Sequence, residues 1–215
     1  LMIGAVLFAV TIYVPVFVQA VLGASATSSG VILMPLALSW VVAVFFVGQW
    51  IARSGRYAIF PKAGSLLVVA GVAVLALTVD DDTSRLTVAG ALVILGVGMG
   101  ISLQPYLIAG QNAVGRHDIG VATAGMQFAR SMGSSLAVAA LGTLLVNRVI
   151  DGLRETGRSA SAQQVERLLA GEQADPATVT ALLDGLTAVF VATAVLAVLM
   201  VWIAFSLKEK PLRSA

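Results

Sequence analysis

The sequence predicts an all-α integral membrane protein, and three observations carry that prediction. Six apolar stretches, at residues 1–22, 29–51, 60–79, 87–109, 120–146 and 183–207, fill most of the 215 residues. A hydrocarbon core about 30 Å thick needs about 20 residues of apolar helix, and each stretch reaches or approaches that length. Charged residues make up only 11% of the chain, against about one quarter in soluble domains, and the mean hydropathy is +0.97. The stretches also lack the continuous polar face that a water-facing helix must show.

The first stretch opens at Leu1-Met2-Ile3-Gly4 with no Lys or Arg ahead of it, and it contains Tyr13, Pro15 and Gln19. A signal peptide carries a basic leading region and a small-residue cleavage site. Residues 1–22 therefore read as a true span, and the abrupt start is that expected of a truncated chain. The second stretch runs into the loop Gly48-Gln49-Trp50-Ile51-Ala52-Arg53-Ser54-Gly55-Arg56-Tyr57. Its glycines allow a tight turn and close helix approach, and its arginines hold the loop at one membrane face.

The fourth stretch contains Gly96-Val97-Gly98-Met99-Gly100, whose G-x-x-x-G spacing permits close helix packing. No strand precedes it and no lysine follows, so phosphate binding is not indicated. Gln104-Pro105-Tyr106 comes next, and the proline removes a backbone hydrogen bond. A bend there is expected to turn Gln104 or Tyr106 toward a cavity, with Pro15 playing a similar part beside Tyr13 and Gln19. Each of these polar residues is open between substrate contact and interhelical hydrogen bond.

The fifth stretch holds Arg130, about ten residues in and so about 15 Å along the helix. Such a placement costs about 2.5–3.5 kcal/mol on insertion scales. Thr123, Gln127, Arg130 and Ser134 are spaced by four, three and four, which puts them on one helical face. The stripe is expected to line the cytoplasmic half of a cavity. The alternative is that Arg130 snorkels to the inner interface or pairs with helix-end carbonyls.

Residues 147–182 form a long hydrophilic segment. Ser161 with Gln164 resembles a capping box opening the run Gln163–Ala170, and Asp175-Pro176 reads as an N-cap followed by proline at the first helical position. A short external helix and a polar lead into the last span are expected. The segment is either a solvated connector or a docking or gating element.

The loops alternate in charge. One side collects Arg53, Arg56, Lys62, Arg116, Lys208, Lys210 and Arg213 against Asp118 and Glu209, a net +5. The other holds five arginines against nine acids, Asp184 among them, a net −4. Lys and Arg in short loops mark the cytoplasmic side, so both ends of the segment are expected in the cytoplasm. Apart from Asp184, at the outer lip of the last stretch, no Asp or Glu lies within a span. The chain has no cysteine and one histidine, which excludes disulfides, thiolate metal sites and multi-histidine centres. No nucleophile–histidine–acid set and no nucleotide-binding loop is present, so nothing points to an enzyme, a resident cofactor or a nucleic-acid partner.

The loop at 48–57 resembles the cytoplasmic signature of the major facilitator superfamily, G-x-x-x-D-R-x-G-R-[RK]. Gly48, Arg53, Gly55 and Arg56 match, Ala52 replaces the aspartate and Tyr57 replaces the last basic residue. Further stretches extend the resemblance: Tyr13 to Gln19, Gly23 to Gly30, Met34-Pro35, Gln111 to Val114, Gly120 to Gly125, Phe128 to Gly133 and Ala139 to Thr143. Their order is similar to the last six helices of the fourteen-helix drug:proton antiporters, the EmrB/QacA type, in which a long external loop precedes the final helix. The resemblance implies one six-helix half-bundle of a major-facilitator fold in a bacterial inner membrane. The implied activity is proton-driven efflux of amphipathic drugs by alternating access, with the proton-carrying acids largely on a missing N-terminal half. Implied partners are the lipid bilayer, a drug-like small molecule, and that missing half or a second copy. The alternatives are a half-transporter acting as a homodimer and a non-transporting membrane interaction module.

Overall fold

Helix forms wherever the apolar stretches predict it. A computed structural model describes residues 1–55, 57–80, 83–155, 165 and 176–206. It contains α1 (Met2–Ala20), α2 (Ala26–Val31), α3 (Met34–Ser54), α4 (Ile59–Thr78), α5 (Arg85–Asn112), a 3-10 turn (Arg116–Asp118), α6 (Ile119–Glu155) and α7 (Pro176–Ser206). No strand occurs among the described residues. All of these helices except α2 are long and apolar enough to cross a membrane, so the chain is an all-α, multi-pass membrane protein built as a six-helix half-bundle.

Local chemistry explains the breaks. Ser25 caps α2 by accepting the Ser28 N–H at 3.3 Å, and Pro35 in the first turn restarts the chain as α3. Ser84 caps α5 through the Thr87 N–H at 3.1 Å. Gly55 ends α3 with φ 68°, and its N–H reaches Ile51 O at 2.9 Å. Glycine takes that left-handed conformation without a Cβ penalty.

Several helices outrun the apolar stretches. α6 continues to Glu155 and α7 already starts at Pro176, so both described ends of the 147–182 segment are helical. Hydropathy marks where lipid ends, while helix hydrogen bonds continue into water. The added turns are amphipathic: Val149, Leu153, Ala181 and Leu182 are buried, and Arg154 pairs with Asp151 at 3.6 Å. Asp184 lies within α7 and is exposed. Asp175, the Ser161–Gln164 capping box and the Gln163–Ala170 run lie outside the described residues, except Val165, which is fully buried. Arg56, Lys208, Lys210 and Arg213 also lie outside them.

α5 is gripped from two sides through its glycines. A Cβ on Gly100 would stand 2.7 Å from Trp40 O of α3, and one on Gly98 would stand 2.8 Å from Gly64 O of α4. The G-x-x-x-G motif therefore brings backbones together, as its spacing predicts. α4 packs on α7, and α7 packs on both α6 and α1. The pairings repeat: α5 sits against α3 and α4, while α1 sits against α6 and α7. The first helix of each three-helix unit thus packs among the second and third of the other. Transporters built from inverted repeats show this logic, although no repeat is legible in the sequence. The correspondence is incomplete, because α6 packs firmly on α7 whereas α3 and α4 scarcely touch.

One expectation for the loop at 48–57 needs correction. Gly48 makes no close helix approach among the described residues: it is exposed, and none of them lies within 4 Å of where its Cβ would be. Arg53 is exposed. Tyr57 is buried at the base of the loop in a cluster with Val47, Ile51 and Ala58, which accounts for a tyrosine where the signature has a cation. At this basic end of the bundle Trp50 and Trp202 are both exposed, each four residues from a helix end, the placement of interfacial anchors.

Candidate functional site

The site is built on the crossing of α1 and α6. A Cβ on Gly4 would strike the Arg130 carbonyl, and one on Gly133 would strike the Leu1 carbonyl. The two backbones are therefore in contact near the basic end. Ser134 is buried there and donates to Arg130 O at 3.0 Å. Helical side chains lean toward their own N-terminus, which for α6 is the basic end, so Arg130 is carried toward that end.

Arg130 is half-buried and lines two spaces. One is an open cavity of about 370 Å³ between α1, α5, α6 and α7, where it stands with Gln127 and Tyr106. The remaining wall is apolar, with Leu103 and Leu107 of α5, Met126 of α6, and Met200 and Ile203 of α7. The other is a groove of about 600 Å³ between α1 and α6, where Arg130 stands with Phe8, Ser131, Ser134 and Ser135. That groove continues along the same helices past Ile12, Val138 and Ala139 toward Thr143 and Asn147. Arg130 is the polar group common to cavity and groove.

The predicted stripe is thus divided. Gln127 and Arg130 face the cavity, and Arg130 and Ser134 face the groove. Thr123 belongs to neither. It accepts from Gln111 Nε2 at 3.0 Å and donates to Ile119 O at 2.8 Å, tying α5 to α6 at their connection. Tyr13 is buried and donates to Val138 O at 3.2 Å, an interhelical bond between α1 and α6. α5 runs without interruption through Pro105. Tyr106 reaches the cavity, whereas Gln104 lines neither the cavity nor the groove. Gln19 is half-buried near the far end of α1 and lines neither space.

Two features escape sequence reasoning. The Tyr106 hydroxyl is buried with no hydrogen-bond partner among the described residues, as is that of Ser102 one turn earlier. An aromatic hydroxyl in an apolar helix signals nothing about its partners until neighbours are placed. Gly4 and Gly133 carry the α1–α6 contact without any local G-x-x-x-G pattern, so only the fold brings them together.

Comparison with known proteins fixes the family. Residues 1–138 match the profile of the Major Facilitator Superfamily, which covers the first five spans up to the Arg130 region. The chain belongs to the major facilitator superfamily. Among curated members, an uncharacterized MFS-type transporter of Mycobacterium tuberculosis is 36% identical over 145 residues, covering 67% of this chain and 21% of the relative. The multidrug transporter protein MdtP of Bacillus subtilis is 33% identical over 140 residues, covering 65% of this chain and 25% of the relative. The MFS-type efflux pump MFS1 of Arthroderma benhamiae is 32% identical over 166 residues, covering 77% and 31%. Each match takes in less than a third of the superfamily relative's own length.

Proposed function

We propose that these six helices form the C-terminal half of a multidrug efflux transporter of the fourteen-helix drug:proton antiporter type. It works by alternating access in a bacterial cytoplasmic membrane, with both ends of the segment in the cytoplasm. The observation that carries the reading is the cavity at the basic end, where Arg130, Gln127 and Tyr106 stand against an otherwise apolar wall. Small-molecule sites have this composition, a few polar groups set in an apolar surface. An intramembrane arginine is costly and marks a pathway or ligand site by default. The relatives named as efflux pump and multidrug transporter support the direction and class of transport.

No carboxylate lines the cavity or the groove. That agrees with the reading in which the proton-carrying acid belongs to the other half, the proton gradient is the energy source and there is no resident cofactor. The free face of α6, with Gly125, Ser131, Ser135 and Ala139 exposed, supports a protein partner there, either the N-terminal half or a second copy. Small residues at a helix surface let another helix approach closely.

The test is drug accumulation in cells stripped of their own pumps. Efflux by the protein extended upstream, and not by these 215 residues alone, is the expected result. Efflux by the 215 residues alone would replace the missing half with a second copy. The site assignment fails if Arg130→Ala leaves efflux by the intact protein unchanged.

A further inference from the structure

We infer that the cavity at the basic end selects an anionic amphiphile, a molecule with a carboxylate or phosphate head on an apolar body, and that Arg130 holds the head. The inference rests on the cavity being the transport site and names the class of its substrate. The polar side chains that the lining presents are Arg130 and Gln127, and no Asp or Glu is among the lining residues. Arg130 makes no ion pair among the described residues. Among the described residues its charge therefore meets the cavity without a counter-ion, and a cation there attracts an anion.

A carboxylate or phosphate oxygen accepts from a guanidinium, and charge-assisted bonds of this kind are the strong ones. A cationic head finds no acceptor of opposite charge here. The body of the ligand is matched by Leu103, Leu107, Met126, Met200 and Ile203; the methionines are unbranched and polarizable and fit irregular apolar shapes.

The test uses a probe pair that differs only in charge, dansyl-undecanoate and its primary amide, titrated against the protein in phosphatidylcholine nanodiscs. The carboxylate is expected to bind at least about tenfold more tightly than the amide, the scale of a charge-assisted bond. Arg130→Gln should bring the ratio close to one while leaving amide affinity in place. Arg130→Lys, which keeps the charge, should retain part of the preference and guards against reading a folding defect as lost recognition. Equal binding of the two probes by the wild type, or an unchanged ratio in Arg130→Gln, overturns the inference.

Replacing part of the lipid with phosphatidylglycerol separates the two sources of such a head. Loss of probe binding there identifies the bilayer's own anionic lipid as the occupant, and unchanged binding identifies a free amphiphile. Both outcomes keep the anionic class. Efflux of the same probe pair from cells tests the transport reading by itself. Charge-selective binding without efflux removes the transporter reading and keeps the anion site. Efflux without charge selectivity does the reverse.

Discussion

α3 and α6 are the two least covered spans of the bundle, yet their free faces are made of different material. α3 is held mainly by α5 and exposes Leu38, Val41, Val42, Phe45, Phe46 and Trp50. α6 is held by α1 and α7. It exposes one bulky ridge of Val121, Phe128, Met132 and Leu136, and beside it a ridge of small and hydroxyl residues, Ser131, Ser135 and Ala139. Lipid tails reward bulk and offer nothing to a hydroxyl, whereas a neighbouring helix or a wet cavity accepts small polar residues. Exposure alone therefore does not distinguish a lipid-facing helix from one facing a partner. The chemistry of the exposed residues does.

The strongest way to break this picture is to attack how each helix is held. A leucine at Gly4 would drive its Cβ into the Arg130 carbonyl, and one at Gly100 would meet Trp40 O at 2.7 Å. Backbone cannot yield as a flexible side chain does, so each change should cost upward of about 2 kcal/mol. The readout is a lower Tm and loss of a single size-exclusion peak in detergent. Gly48→Leu, which faces open space among the described residues, should stay within about 0.5 kcal/mol of the wild type.

A charge placed on each free face comes next. Phe45→Arg on α3 should cost about 2.5–3.5 kcal/mol of insertion free energy, read as a reduced membrane-inserted fraction. Ser135→Arg, beside the α1–α6 groove, should cost less than half of that. Equal costs would mean that the two faces meet the same solvent.

Smaller effects sharpen the α6 side. Tyr13→Phe removes the bond to Val138 O and should lower stability by about 1 kcal/mol. Thr123→Val removes the acceptor for Gln111 and should cost about 0.6 kcal/mol, the average for hydrogen bonds between membrane helices. Thermal unfolding of the purified variants resolves both.

Most of the fold is legible because lipid imposes a coarse rule. Six long apolar runs must be helices, and their number and order survive any error in their ends. The ends themselves are less legible. Asn147 to Glu155 lies in a hydrophilic segment and yet is helical, since Val149 and Leu153 pack into the core and backbone bonding does not stop where lipid does. Of the site, Arg130 and Gln127 are readable because polar groups stand out in an apolar run. The division of their stripe between cavity and groove is not readable, because it depends on where α1 crosses. Tyr13 and Tyr106 look alike in the sequence, but one donates to a neighbouring carbonyl while the other has no partner among the described residues. Only the placement of α5 and α6 around them decides which is which.

The contact of Gly4 and Gly133 with opposing carbonyls, together with the Tyr13–Val138 bond farther along, joins α1 and α6 into a single stiff plank. Parting them would strip backbone contacts along both helices. α5 closes the opposite side of the cavity and touches α1 and α6 only lightly, chiefly near the Gln111–Thr123 bond. Arg130 is mounted on that plank, so a guest meets it on a fixed side of the cavity, while the wall opposite is set by α5, itself clamped through Gly96, Gly98 and Gly100 to α3 and α4.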